Sequence, residues 1–273
     1  MSEDEKIKSL PGHEAKHLTP LEHEKMLAQN SRLVSEYQAN KLEQEAQKNW
    51  DLFYKRNDTR FFKDRHWTTR EFHELIDDEN CEEGKSILEV GCGVGNLIYP
   101  LIEDGLKFKK IFACDLSPRA VDFVKSHKLF NPDKIEAFVT DITNENCFSN
   151  INGGVDTATL IFVLSAIHPD KFERVAKNLY HVLNQEGVVL FRDYGLYDMA
   201  QIRFKPGSKI ADNFYTRQDG TRSYYFSTDE VDRIFMNAGF QKLSCSYVQR
   251  RTVNPKEQID VPRIFVQAKY KKT

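Results

Sequence analysis

No apolar run among the 273 residues approaches the roughly 20 that a membrane-spanning helix needs. The first residues, Met-Ser-Glu-Asp-Glu-Lys, contain no apolar signal core. Cysteine is scarce. Cys81, Cys92, Cys114, Cys147 and Cys245 are odd in number and include no C-x-x-C pair. That argues against a disulfide framework or a zinc site and for a reducing compartment. Net charge is only -2, so a polyanionic partner would have to be met by a local basic patch. Internal repeats and long low-complexity tracts are absent. What remains is a chain with 40% hydrophobic and 29% charged residues, long enough to bury a full core. It is expected to lie in the cytoplasm or nucleus, without membrane or metal.

The stretch from Ser86 to Leu116 organises this chain. Ile87, Leu88 and Val90 form a short apolar run, as in a strand buried on both faces. Glycines follow at 91, 93 and 95, and a helix is expected to open at about Asn96. A second apolar run, Ile111 to Cys114, ends in Asp115, an acid 24 residues after Gly91. A strand, glycine turn, helix and strand closing on an acid suit a cofactor with a ribose. The glycines admit close backbone approach, and the carboxylate accepts from two ribose hydroxyls. The spacing is not Gly-x-Gly-x-x-Gly, whose helix N-terminus faces a pyrophosphate. Glu89 precedes Gly91, Gly93 and Gly95, poorly placed for a phosphate but well placed near a cation. S-adenosylmethionine (SAM) lacks a phosphate and carries a sulfonium and an ammonium, so the motif favours SAM.

Around this unit the chain divides into three parts: residues 1–20 as a disordered tail, 21–80 as a helical, basic and aromatic extension, and 81–273 as the cofactor domain. Leu42, Ala46, Trp50, Phe53 and Tyr54 fall on one helical stripe. It serves either as a packed face or as a lid in which Trp50 and Tyr54 close over the cofactor. Beyond Asp115, Ser117 and Pro118 start a helix as N-cap and first residue. Ile135 to Thr140 is a third strand ending at Asp141. That acid either accepts from an adenine amino group, with Ile142 backbone at the ring edge, or caps a turn. Val155 to Leu164 is the fourth strand, and His168-Pro169-Asp170 starts the next helix. Val188 to Phe191, the fifth strand, runs into Arg192 and Asp193. Ser227 to Glu230 form a capping box for a last helix, and two strand-like stretches follow. Strands alternating with helices predict an α/β, Rossmann-like doubly wound sheet; seven strands ending in a hairpin is its class I SAM-methyltransferase version.

Two segments fall outside this minimal pattern. Residues 55–70 carry six basic and two acidic residues, with Phe61, Phe62, His66 and Trp67 among them. Arg60 and Arg65 belong to this run. Basic side chains beside aromatics suit phosphate contacts beside base stacking, although a solvated linker has the same composition. Residues 195–226 form an insertion after the fifth strand, at the edge where open α/β sheets bind ligands. It carries Arg203, Arg217 and Arg222 and seven aromatic residues. Together the two segments would make a basic, aromatic rim, which favours a nucleic-acid substrate over a small molecule.

Several blocks are more specific than the glycine motif: Gln47-Lys-Asn-Trp-Asp-Leu-Phe-Tyr-Lys-Arg, Phe61-Phe-Lys-Asp-Arg-His-Trp, Leu160-Ile-Phe-Val-Leu-Ser-Ala-Ile-His-Pro-Asp, Phe191-Arg-Asp-Tyr-Gly-Leu-Tyr-Asp and Asn213-Phe-Tyr-Thr-Arg-Gln-Asp-Gly-Thr-Arg-Ser-Tyr. These closely resemble the eukaryotic tRNA 3-methylcytidine methyltransferases, from about residue 30 onward, and most strongly the short branch acting on serine tRNAs. The resemblance implies SAM contacts at Trp50, Tyr54, Gly91, Asp115, Asp141, Ile142 and Ile161. It implies substrate-pocket roles for Arg65, Arg192 and Asp193, with Phe61, Phe62 and His66 in the same block. It also implies methylation of the cytidine at tRNA position 32, S-adenosylhomocysteine as by-product, and help from seryl-tRNA synthetase. Cytosine N3 holds an in-plane lone pair, so positioning rather than a strong base would suffice. Ser165 to Pro169 stands where an Asn-Pro-Pro-Tyr motif would serve exocyclic amino methylation. A small-molecule or protein methyltransferase, and an RNA-binding scaffold on an inactive fold, remain the alternatives.

Overall fold

A computed structural model of the chain describes residues 12–59, 61, 64–76, 84–254 and 259–273. The N-terminal extension forms helices α1 (Pro20–Ala28), α2 (Glu36–Gln44), α3 (Ala46–Asn57) and the short α4 (Thr68–Glu71). Thr19 starts α1 with a reciprocal capping box to Glu22. The expected stripe is split at Glu45, yet Leu42, Phe53 and Tyr54 are buried and Trp50 is half-buried.

The domain then alternates as its apolar runs require. β1 (Lys85–Val90) leads to α5 (Ile98–Glu103), β2 (Phe108–Asp115), α6 (Pro118–Ser126), β3 (Ile135–Val139) and β4 (Val155–Ile161). α7 (Phe172–Val182) and β5 (Leu183–Tyr194) follow. Within the insertion lie α8 (Met199–Ile202), β6 (Lys209–Ala211), β7 (Phe214–Thr216) and β8 (Arg222–Tyr224). α9 (Thr228–Asn237), β9 (Gln241–Asn254) and β10 (Ile259–Lys271) complete the fold. Among the described residues the main sheet has seven strands in the order β3-β2-β1-β4-β5-β10-β9. β1 to β5 run parallel, and β10 is antiparallel to both β5 and β9. This is the class I, Rossmann-like architecture expected from the motif order.

Alternation along the strands divides the core between the sheet's two faces. Ile87, Ile111, Ile161 and Leu190 pack with Phe72, Val121 and Val124. Leu88, Phe112, Leu160 and Phe191 pack with α7, α9 and the insertion.

Several details differ from expectation: residues 12–19, expected within a disordered tail, lie against the domain, with Gly12 bridging Tyr247 and His13 O accepting from Thr228 Oγ1 at 3.0 Å, and β4 ends at Ile161 rather than Leu164. After Gly95 the chain makes turns, and α5 begins at Ile98 rather than Asn96. Ser227 caps α9, accepting from Glu230 N, but the Glu230 carboxylate instead accepts from the Tyr224 hydroxyl at 2.8 Å. The insertion is not an aromatic rim. It folds into a small antiparallel sheet whose Phe214, Tyr215, Tyr224, Tyr225 and Phe226 are buried. Rings of that size hold a three-stranded sheet together only when withdrawn from water. The sheet docks on the N-terminal helices: the Tyr215 hydroxyl donates to Gln29 Oε1 at 2.9 Å, and Gln29 Nε2 donates to Gln201 O at 2.9 Å.

Candidate active site

A cavity of about 490 Å³ opens at the carboxyl ends of β1, β2 and β4, within the usual size of small-molecule sites. Its floor is the glycine turn. Gly91 and Gly93 have φ of 64° and 53°. A Cβ on Gly91 would meet Val163 Cγ2 at 2.3 Å, and one on Gly93 would meet the Tyr54 hydroxyl at 2.9 Å. The sequence therefore needs glycine here both for the left-handed backbone and for the space.

Asp115 ends β2 and faces the cavity. Its Oδ2 accepts the Gly93 N–H at 3.0 Å and its Oδ1 the Ser117 N–H at 2.9 Å. Burial pushes its carboxyl up to about 6 despite these backbone donors. Asp141 also lines the cavity, with Ile142 beside it. Its Oδ1 accepts from Thr143 N at 2.9 Å and Thr143 Oγ1 at 2.8 Å, so it caps a turn while facing the site. Trp50 and Tyr54 of α3 close the opposite wall. Glu89 lies beneath the turn, 2% exposed, and its Oε2 has no hydrogen-bond partner. Burial pushes its carboxyl up to about 8, with Arg65 opposing the shift. Gly95 and Ile161, expected as cofactor contacts, do not line the cavity: a Cβ on Gly95 would meet the Tyr99 ring at 2.4 Å, and Ile161 packs in the core with Ile87 and Leu190.

Arg65 and Arg217 reach the same cavity from the two flanking segments, with Phe162 and Tyr194 between them. Arg65 lies 5.7 Å from the centre of the Phe162 ring and donates to Ile161 O at 3.4 Å. Arg217 lies 5.3 Å from the Tyr194 ring. The two rings are tilted, 5.2 Å apart. Phe162 holds a left-handed φ of 59°, a strain of about 1–3 kcal/mol that structures retain where geometry matters. Neither ring was singled out by sequence reasoning. Tyr194 adjoins Asp193 in sequence, but the conformation of Phe162 left no signal there.

The other expected residues are placed differently. Asp193 is fully buried beneath the cavity wall, accepting Ser165 N–H and Tyr194 N–H at 2.9 Å each. Burial pushes its carboxyl up to about 6. Arg192 points to the opposite face. Its guanidinium stacks 4.3 Å from Trp67 and 5.1 Å from Phe265, donates to Gln267 Oε1 at 3.1 Å and does not line the cavity. Burial lowers its pKa to about 10. Arg222 lines the cavity but is buried in an ion pair with Glu43. Phe61 is largely exposed and packs its edge 4.8 Å from Phe53. His66 is exposed near Asp104, and Arg203 is exposed on the insertion. Arg60 and Phe62 lie outside the described residues. His168 accepts from Asp170 N at 3.3 Å and packs on Phe214, a capping role away from the cavity. Among the described residues no cluster of His, Cys, Asp and Glu could hold a metal, and no helix is long and apolar enough to cross a membrane.

This donor set fits SAM. A buried carboxylate faces a glycine turn that leaves no room for side chains, and a second acid marks the next strand end. Comparisons with known proteins agree. A family model described as a methyltransferase domain matches residues 54–244. The mouse tRNA N(3)-cytidine methyltransferase METTL6 is 52% identical over 263 residues, covering 96% of this chain and 93% of its own. The Schizosaccharomyces pombe tRNA N(3)-methylcytidine methyltransferase trm141 is 42% identical over 249 residues, covering 88% of this chain and 97% of its own. Among solved structures, a SAM-dependent methyltransferase from Anabaena variabilis superposes with a TM-score of 0.59 at 12% identity, covering 83% of this chain and 94% of its own. The glycopeptide N-methyltransferase MtfA, solved with SAM, gives 0.52 at 15% identity, covering 77% of this chain and 88% of its own. Such distant likenesses speak for the fold. The cofactor is S-adenosylmethionine, and the chain belongs to the tRNA N(3)-cytidine methyltransferase family.

Proposed function

We propose that this protein methylates N3 of a cytidine in the anticodon loop of tRNA, at position 32, with serine isoacceptors as substrates. The observation that carries the reading is the 52% identity to a tRNA N(3)-cytidine methyltransferase over nearly the whole chain. The site chemistry supports it. SAM supplies an electrophilic methyl on a sulfonium. The N3 lone pair is unprotonated at neutral pH, so the protein must place the base rather than deprotonate it. N3 lies on the Watson–Crick edge, so the base must be unpaired and turned out, as a loop allows.

In this reading Asp115, Asp141 and Ile142 hold the adenosine end, over Gly91 and Gly93, with Trp50 and Tyr54 as lid. Arg65 and Arg217 bind the incoming nucleotide beside the Phe162 and Tyr194 rings. As the N3–methyl bond forms and the sulfur–methyl bond breaks, positive charge passes to the base. The buried Asp193 carboxylate, behind Ser165, favours that cation through space. Phe61, His66 and Arg203 are surface contacts for the RNA. With a net charge of -2, the chain gains tRNA affinity from a partner, for which seryl-tRNA synthetase is proposed, in cytoplasm or nucleus.

The test is incubation with labelled SAM and total tRNA, with and without seryl-tRNA synthetase, followed by nucleoside analysis. Labelled 3-methylcytidine in serine tRNA is expected, increased by the synthetase. Label in another nucleoside, or in no RNA although SAM binds, would overturn the proposal.

A further inference from the structure

The N-terminal helices roof the cofactor cavity. Glu43, Gln47 and Trp50 line it from above. The attachment of α2 is slight: of its nine residues only Leu42 is buried. A helix of that length does not hold itself together in water. α3 rests on a small cluster of Phe53, Tyr54, Val94 and Ala120, separate from the two cores of the sheet. Segments with little buried apolar surface open locally at low cost.

α3 is further tied to α6 by Asp51, which accepts from Ser117 Oγ at 2.9 Å and lies 3.6 Å from Arg119, whereas α2 is tied across the seam by a charged junction at Glu43. Glu43 Oε1 accepts from Lys171 Nζ at 2.5 Å, and Glu43 Oε2 accepts from the Arg222 guanidinium. Arg222 also donates to Ala166 O at 3.1 Å. Glu43, Ala166, Lys171 and Arg222 all line the cavity, so α2, the loop after β4, the approach to α7 and strand β8 meet at one carboxylate. Burial alone would favour a neutral Glu43, yet the two cations hold it below the usual carboxylate range. The pair is partly shielded, with Arg222 only 6% exposed, so it counts for more than a solvated ion pair.

We infer that Glu43 is a positioning residue that latches α2 across the cofactor cavity, so that SAM and S-adenosylhomocysteine exchange when Glu43 releases Lys171 and Arg222. The inference rests on the cofactor occupying this cavity and is independent of the tRNA reading. A latch has a kinetic signature distinct from a contact. Weakening it makes opening easier and therefore speeds entry and exit together. Losing a cofactor contact speeds exit alone and raises Kd in proportion.

Stopped-flow exchange of S-adenosylhomocysteine on the full chain tests this with Glu43→Gln, Lys171→Met and their combination. For Glu43→Gln both rate constants should rise on the order of tenfold while Kd moves by less than about threefold, and the double variant should fall short of the product of the single effects. Glu45→Gln, which removes the neighbouring carboxylate that pairs with Lys48, should change neither rate. Should Glu43→Gln fail to fold, Lys171→Met alone must still accelerate both directions. The latch is refuted if the folded variants exchange ligand at the parent rate, or if only release quickens and Kd rises with it. Absence of ligand binding by the parent protein would instead overturn the cofactor assignment of the cavity, and the latch with it.

Discussion

Asp115 should make cofactor binding and folding respond to acid with opposite signs. Its carboxyl, ordinarily near 3.8, sits at about 6 because it is buried. Unfolding returns it to the ordinary value. Between about pH 4 and pH 6 the folded chain therefore holds a proton that the unfolded chain has lost. The resulting stability is present below that window, is lost as pH rises through about 6, and amounts to about 3 kcal/mol. A ribose diol presents two O–H donors and is best met by the ionised carboxylate. The contribution of Asp115 to S-adenosylhomocysteine affinity should thus be constant above about pH 7 and fall up to tenfold per unit below about pH 6.

Asp115→Asn removes the titration and leaves one accepting oxygen for Gly93 N–H, Ser117 N–H and the ribose together. The amide nitrogen must also face one of those backbone donors. Two hydrogen bonds to a charged group are worth ~1.5–3 kcal/mol each, so affinity near neutrality should drop by about 10²- to 10⁴-fold. Titration calorimetry with S-adenosylhomocysteine between about pH 5 and pH 8, with melting curves in the same buffers, reads both effects. The parent-minus-variant difference isolates Asp115 from other carboxyls. A pH-independent parent-minus-variant difference, or variant affinity within about tenfold of the parent's near neutrality, would refute the argument.

Three further outcomes are expected. Gly93→Ala should abolish S-adenosylhomocysteine binding and cost about 1–3 kcal/mol, because its Cβ would meet Tyr54 in a left-handed backbone; unchanged calorimetric affinity would disprove it. Arg192→Met should destabilise the fold by about 2–4 kcal/mol through loss of its stack on Trp67 and Phe265, read as a lower melting temperature, with cofactor affinity unchanged; a stable variant that had lost turnover would return Arg192 to the chemistry. Arg217→Ala should raise KM for tRNA at least about tenfold while cofactor Kd stays constant, and equal KM values would remove Arg217 from the substrate side.

The parts of the site legible in the sequence are those fixed by local backbone rules. Gly91, Gly93 and Asp115 follow from a strand, a turn needing positive φ and a strand end, and their spacing carries over into space almost unchanged. The five parallel strands follow from apolar runs separated by helix signals. What sequence could not show is which way side chains turn once flanking segments dock. Aromatics in residues 195–226 look like a stacking rim when counted along the chain. They instead close the core of a small sheet, packing ring against ring away from water. Glu43 lay in an ordinary helical stretch, and its partners Lys171 and Arg222 are 128 and 179 residues away. Arg192 and Asp193 show the same limit more sharply. As neighbours near the end of β5 they leave on opposite faces. Arg192 continues the side of Leu190 toward Phe72 and Trp67, whereas Asp193 continues that of Phe191 toward Ser165. The pair is therefore divided between the two faces: Arg192 locks the strand to the N-terminal extension through Trp67, whereas Asp193 is held by Ser165, which lines the cavity.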